Sequence, residues 1–224
     1  IDMAPWVGVA LFGILLAVAA GPYNTTLQNI GEMEKLLSTQ REQFSLEEYT
    51  SHPELFSEML RQWRTGYKTM LEHVKHNVTE SDSNGVVSKM SIITTAQVGL
   101  LFSRGFLTSP TCRSVSKALL LPSVVLLCAN LILLWRAASV NSSLLVILQD
   151  LRRSMTKLVR LSDSDDGYLS TIIDVASTLT VLEPQANALS FNLAFWGLSL
   201  PVTLTGLVCF SVTGLVVVLL TLVT

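Results

Sequence analysis

Two kinds of hydrophobic patterning alternate along the chain. Apolar runs that hold almost no charge are separated by polar stretches in which apolar residues recur every three or four positions. Four such runs are candidate membrane spans: Ala4 to Gly21, Met90 to Ser103, Leu119 to Trp135 and Leu200 to Val223. The first is short, and the second is only 14 residues between Lys89 and Arg104, so it crosses a bilayer only if both side chains snorkel. The last is part of 41 consecutive uncharged residues that follow Glu183. As one helix these would extend roughly 60 Å, about twice the hydrocarbon thickness of a bilayer. Pro184, Gly197 and Pro201 are the expected breaks, which leaves Gln185 to Ser199 as an uncharged approach helix and Leu200 to Val223 as a span.

The polar stretches carry regular apolar seams. Phe56, Leu60, Trp63, Tyr67, Met70 and Val74 alternate spacings of four and three, with Thr50 or Ser51 as the cap and Pro53 and Glu54 in the first turn. Leu144, Leu148, Leu151, Met155 and Leu158 repeat the spacing, as do Tyr168, Ile172, Val175, Leu179 and Leu182. A further helix is expected over Leu27 to Phe44, starting from Asn24. Polar, helix-breaking loops are expected at Ser81 to Gly85 and Ser162 to Gly167. Helical seams of this kind usually form core. Leu144, Leu148, Leu151, Met155, Leu158, Ile172, Val175 and Leu179 are also candidates for a subunit interface.

The expected fold is all-α: a polytopic membrane protein with about four transmembrane helices and long cytosolic helical extensions that form a membrane-proximal bundle. Its segments are a transmembrane helix over 1–21, truncated at its start, a cytosolic helical segment over 22–88, a span within 89–108, a loop over 109–118, a span over 119–136, a cytosolic helical segment over 137–199, and a terminal span over 200–224. The run ending in Ala17-Val18-Ala19 also fits a cleaved signal peptide, but only Asp2 stands where a basic n-region belongs.

Composition agrees with a polytopic membrane protein: half the residues are apolar and 14% are charged. A net charge of −2 gives no footprint for nucleic acid. Three cysteines, with Cys128 and Cys209 in apolar runs and Cys112 in a short loop, form no disulfide framework. Signals for orientation conflict. Arg104, Arg113 and Lys117 would hold their loop inside and expose the sequons at Asn24, Asn77 and Asn141 to glycosylation. The remaining 12 of the 15 Lys and Arg residues, in or beside the large seam-bearing segments, favour those segments inside and the sequons unused.

Catalytic chemistry is not expected. No nucleophile, base and orienting group assemble, no phosphate-cradling glycine loop or zinc signature is present, and no cofactor is implied. His73 and His76 lie three apart, but in a polar stretch with no third ligand nearby. The Asp163-Ser164-Asp165-Asp166-Gly167 run fails as a calcium loop, because the sixth position is Tyr168 and the twelfth Asp174. Asn130, the strongest polar group in the strong spans, is expected to bond between helices.

The layout of the last hundred residues resembles the C-terminal half of the insect-type gustatory receptors. The span Leu119 to Trp135 runs into SSLLVILQDLRRSM, then IIDVASTLTVLEPQ, then LSFNLAFWGLSLP and a final span, while LRQWRTGYKTMLEHVKHNV is similar to their long cytosolic helix. The family's last span carries Thr-Tyr and, further on, Gln-Phe. Thr213 matches, whereas Gly214, Leu220 and Thr221 stand at the other positions. The resemblance implies spans four to seven of a tetrameric ligand-gated cation channel that detects small-molecule tastants. Thr205, Ser211, Thr213, Val217 and Leu220 would then line the pore, hydroxyls solvating ions and aliphatic side chains gating by dewetting. The alternative is a membrane scaffold, lipid-anchored by its spans, whose cytosolic helices bind a partner.

Overall fold

The computed structural model describes residues 4–43, 50, 52–80, 82–103, 120–162, 168–195, 198–203, 206–209, 211–213 and 215–216. It is mostly helical. Five α-helices follow one another: α1 (Ala4–Gln43), α2 (Pro53–Lys75, continued by a π-helical turn His76–Glu80), α3 (Ser83–Ser103), α4 (Leu120–Ser162) and α5 (Tyr168–Ala188). Strands β1 (Asn192–Phe195) and β2 (Leu198–Pro201) then pair as an antiparallel hairpin, with Asn192 opposite Pro201 and Phe195 opposite Leu198. Among the described residues one helix, within α4, is long and apolar enough to cross a membrane.

Two compact units divide the chain. One comprises residues 1–29, 82–138 and 191–224, and the other residues 30–81 and 139–190. Of the 17 acidic and 15 basic side chains, only Asp2, Asp82, Lys89, Arg104, Arg113, Lys117 and Arg136 belong to the first. It is the low-charge unit; the second is the charged unit.

The charged unit is built on the three seams. Phe56, Leu60, Trp63, Tyr67, Met70 and Val74 are all buried, so the alternation of four and three does mark the inner face of α2. Trp63 and Tyr67, one turn apart, stack with ring centroids 5.0 Å apart and planes 7° from parallel. Helix α1 approaches α2 at Gly66, where an added Cβ would stand 2.9 Å from Gln40 Oε1, and Gln40 Nε2 donates to the Trp63 carbonyl at 3.4 Å. Between α2 and α5 the Ser57 and Thr171 hydroxyls lie 3.3 Å apart. Outer faces carry ion pairs: Arg152 with Glu183 at 2.6 Å, Arg153 with Asp150 at 3.0 Å, and Arg61 with Glu58 at 2.9 Å. The hydrogen bond from Arg61 holds the Glu58 carboxyl below its ordinary range. Such solvent-exposed pairs contribute little to stability.

In the low-charge unit α1 packs on α4 just after Pro22. Tyr23 donates to the Ala129 carbonyl at 2.9 Å, and Arg136 Nη1 to the Leu27 carbonyl at 3.4 Å. A proline inside a helix removes one backbone bond and costs about 3 kcal/mol. Helix α1 nevertheless continues through Pro22, where the pattern suggests one element ending near Gly21 and another starting at Asn24.

Other differences from the sequence reading have local causes. Helix α2 is capped by His52 in extended conformation, without a side-chain cap bond, and Pro53 and Glu54 in the first turn supply the start signal, as expected. The polar break expected at Ser81 to Gly85 narrows to Asp82, at φ 52, before α3 starts at Ser83. Helix α4, by contrast, runs uninterrupted through 136/137, as expected of a span that runs into the seam-bearing helix. The approach helix expected over Gln185 to Ser199 ends at Ala188, and the hairpin takes up the rest, so the fold is not helical throughout. Leu200 and Pro201 consequently belong to β2, and among the described residues helical backbone resumes at 206–209. The loop at 109–118 and the acidic turn at 163–167 lie outside the described residues.

Tyr67 is fully buried and its hydroxyl has no hydrogen-bond partner; burial pushes its phenol above the ordinary range. An orphaned hydroxyl costs about 1–3 kcal/mol. Tyr67→Phe should therefore raise the thermal midpoint of the purified chain. Because the unfolded phenol ionises near pH 10 and the buried one does not, the wild-type chain should lose stability above about pH 10. The variant should lose less, as thermal melts across pH would show.

Candidate ligand cavity and terminal segment

The low-charge unit contains a cavity of about 350 Å³. Helix α3 contributes Ser91 and Thr95, one turn apart on the same face, and α4 contributes Leu134. Leu193 and Leu200 from the hairpin, then Thr203, Gly206 and Leu207, close the other side. Among the described residues no charged side chain lines it.

The hairpin that forms this wall is held by α3. Asn84 Oδ1 accepts the Asn192 backbone N–H at 2.9 Å, and Ser88 Oγ donates to the Asn192 carbonyl at 3.0 Å. Asn192 and Pro201 form a pair that exchanges no backbone hydrogen bonds, so the outward N–H and carbonyl of Asn192 are taken up by these side chains, and Pro201 lacks no ladder bond there. Beyond it, Val202 N–H donates to the Phe191 carbonyl at 3.0 Å, and Phe191 is fully buried. The Thr203 hydroxyl then accepts the Gly206 N–H at 3.1 Å, capping the helical residues that follow.

Hydroxyls on the cavity wall are turned back on their own helices. Ser91 Oγ lies 2.9 Å from the Val87 carbonyl, and Thr95 Oγ1 donates to the Ser91 carbonyl at 2.8 Å. Ser91 Oγ also lies 3.4 Å from Asn130 Oδ1. Asn130 is fully buried, one turn before Leu134 on α4, and its amide Nδ2 has no partner. The expected interhelical bond of Asn130 is therefore present, but it uses only half of the amide.

The candidate pore residues are described in part. Ser211 is half-buried and donates to the Leu207 carbonyl, while exposed Thr213 donates to the Cys209 carbonyl, both at 2.8 Å. Thr205, Val217 and Leu220 lie outside the described residues.

The candidate interface residues face inward in the charged unit. Leu144, Leu148, Leu151, Leu158, Val175 and Leu179 are buried within the chain, and Met155 and Ile172 are half-buried. Among the sequons Asn24 is exposed, Asn77 is half-buried and Asn141 is buried in the middle of α4. A glycosylation acceptor occupies a surface loop, so Asn141 is closed to modification in the folded chain. No group of three or more His, Cys, Asp or Glu side chains suited to a metal occurs among the described residues.

What the sequence missed is the cavity, because its walls come from segments about 40 and 100 residues apart that share no motif. Comparison with protein-family models, curated proteins and solved structures gives no match.

Since the Ser211 and Thr213 protons are satisfied within one helix, Ser211→Ala and Thr213→Val should each change the thermal stability of the purified chain by less than about 1 kcal/mol. A larger loss would mean that these hydroxyls hold another element.

Proposed function

We propose that the chain is part of a multi-pass membrane subunit of a gustatory-receptor-like, ligand-gated cation channel, with its low-charge unit in the bilayer and its charged unit in the cytosol. The observation that carries this reading is the alternation of the chain between the two units. Residues 1–29, 82–138 and 191–224 return to the unit with few charges, and residues 30–81 and 139–190 to the one with many. A soluble two-domain protein has no reason to sort its charges in this way.

Details within the low-charge unit support the bilayer assignment. Its exposed side chains include Ile92, Ile93, Val125, Ile132, Val208, Val212 and Leu215, an outer surface suited to lipid. Exposed Trp135 and then Arg136 end the apolar part of α4, as interfacial anchors do. Asp82 and Lys89 pair with each other at 3.2 Å at the beginning of α3. Hydroxyl and small side chains after Thr203 supply the neutral polar face that a cation path needs. The receptor assignment itself rests on the layout shared with the gustatory receptors. The scaffold reading gains nothing from the seams, which are occupied inside the chain.

The topology is tested with exposed sites in the charged unit. On a background with Cys112, Cys128 and Cys209 replaced by serine, Lys68→Cys and Lys157→Cys should react with an impermeant maleimide only after cells are permeabilised. Labelling on intact cells would place the unit outside and defeat the proposal. Cells that express the chain should also pass a cation current, and Thr213→Trp should reduce it; no current in any condition would leave the chain an anchor and defeat the channel assignment.

A further inference from the structure

We infer that the 350 Å³ cavity of the low-charge unit binds a small neutral molecule with an aliphatic body and a single hydrogen-bond acceptor, of the ketone or ester type. The site stands on the cavity alone; only a link from its occupancy to gating rests on the channel reading. Its volume lies at the lower end of the range of about 300–1,000 Å³ typical of small-molecule sites.

Leu134, Leu193, Leu200 and Leu207 offer hydrocarbon on every side, so the body of the ligand is aliphatic. A charge is excluded, because no side chain of opposite sign lines the wall and an unpaired ion is costly to bury. The polar end is set by Ser91 and Asn130. Nearly all buried polar atoms in folded proteins find a partner, and the unpartnered Nδ2 of fully buried Asn130 is an exception that calls for one. It adjoins the cavity through Ser91, whose hydroxyl touches Asn130 Oδ1 at 3.4 Å. The Ser91 hydroxyl can turn its proton from the Val87 carbonyl toward a ligand oxygen, while Asn130, behind Ser91 and not itself part of the wall, can turn its amide so that an Nδ2 proton goes to Ser91 Oγ. The wall thus supplies a donor to an acceptor, and a carbonyl oxygen matches it. An acyl ester of the bilayer and a freely dissolved molecule both supply such an acceptor, and the chemistry recognised is the same.

The test uses the full chain in detergent micelles and a medium-chain methyl ketone carrying a diazirine. Illumination should crosslink the ketone saturably to peptides from α3 and the hairpin, with competition by unlabelled ketone. Leu200→Trp fills the cavity from a half-exposed position and should lower labelling roughly tenfold, equivalent to about 1.4 kcal/mol of binding. Ile132→Trp, on an exposed part of α4 away from the cavity, should not. Asn130→Leu, with a thermal midpoint no lower than wild type, should remove the preference for the ketone over an alkane of equal length. Competition by a short-chain phospholipid as well as by ketone identifies a bilayer ester as the source; competition by ketone alone identifies a dissolved ligand. Labelling that does not saturate, or that falls equally in Leu200→Trp and Ile132→Trp, overturns the site. A preference retained by Asn130→Leu overturns the assignment of its polar end.

Discussion

Satisfying backbone hydrogen bonds from within the chain is the constraint on which the low-charge unit depends. It has seven charged side chains, one in 1–29, six in 82–138 and none in 191–224, and each peptide group left unpaired in an apolar setting costs several kcal/mol. Helices answer this by pairing every interior group locally. The same economy extends to side chains. Ser91, Thr94, Thr95, Ser211 and Thr213 all direct their hydroxyls to the carbonyl four residues earlier. Such back-bonding makes a hydroxyl tolerable where water is scarce.

The charged unit obeys a different balance. It has sufficient polar residues to cover its surface, and its stability comes from three apolar seams instead of from ion pairs that face solvent. Within it the Trp63 and Tyr67 stack fills the centre of α2, and the narrow approach of Gln40 to Gly66 fixes how α1 sits there. Helices α1 and α4 each contribute one part to either unit, so a single element meets both sets of rules along its length. In α4 the change falls near Trp135 and Arg136, where apolar residues give way to Asp150, Arg152 and Arg153.

Periodic features were legible in the sequence and solitary ones were not. The alternation of four and three from Phe56 to Val74 named the buried face of α2 because charged neighbours such as Glu58, Arg61 and Arg64 left no rival face. The seams from Leu144 and Tyr168 were legible for the same reason. In the uncharged tail, contrast between faces disappears, and with it the means to tell helix from strand. The hairpin had a signal nevertheless: two short apolar runs flank Trp196 and Gly197, a spacing that suits a two-residue turn. Pro22 misled in the opposite sense, since tertiary bonds from Tyr23 and Arg136 outweigh a local penalty that propensity alone records. The cavity depended on pairings across long stretches of chain, for which periodicity carries no information.

The bonds that complete the hairpin also impose an order on biosynthesis. Asn84 and Ser88 emerge from the ribosome 108 and 104 residues before Asn192, their common partner. Two strands of four residues have little stability alone. The hairpin therefore matures only after α3 is in place to receive it. A chain cut before Asn192 would remove the one backbone that Asn84 Oδ1 and Ser88 Oγ share, and with it the wall that α3 holds against the cavity.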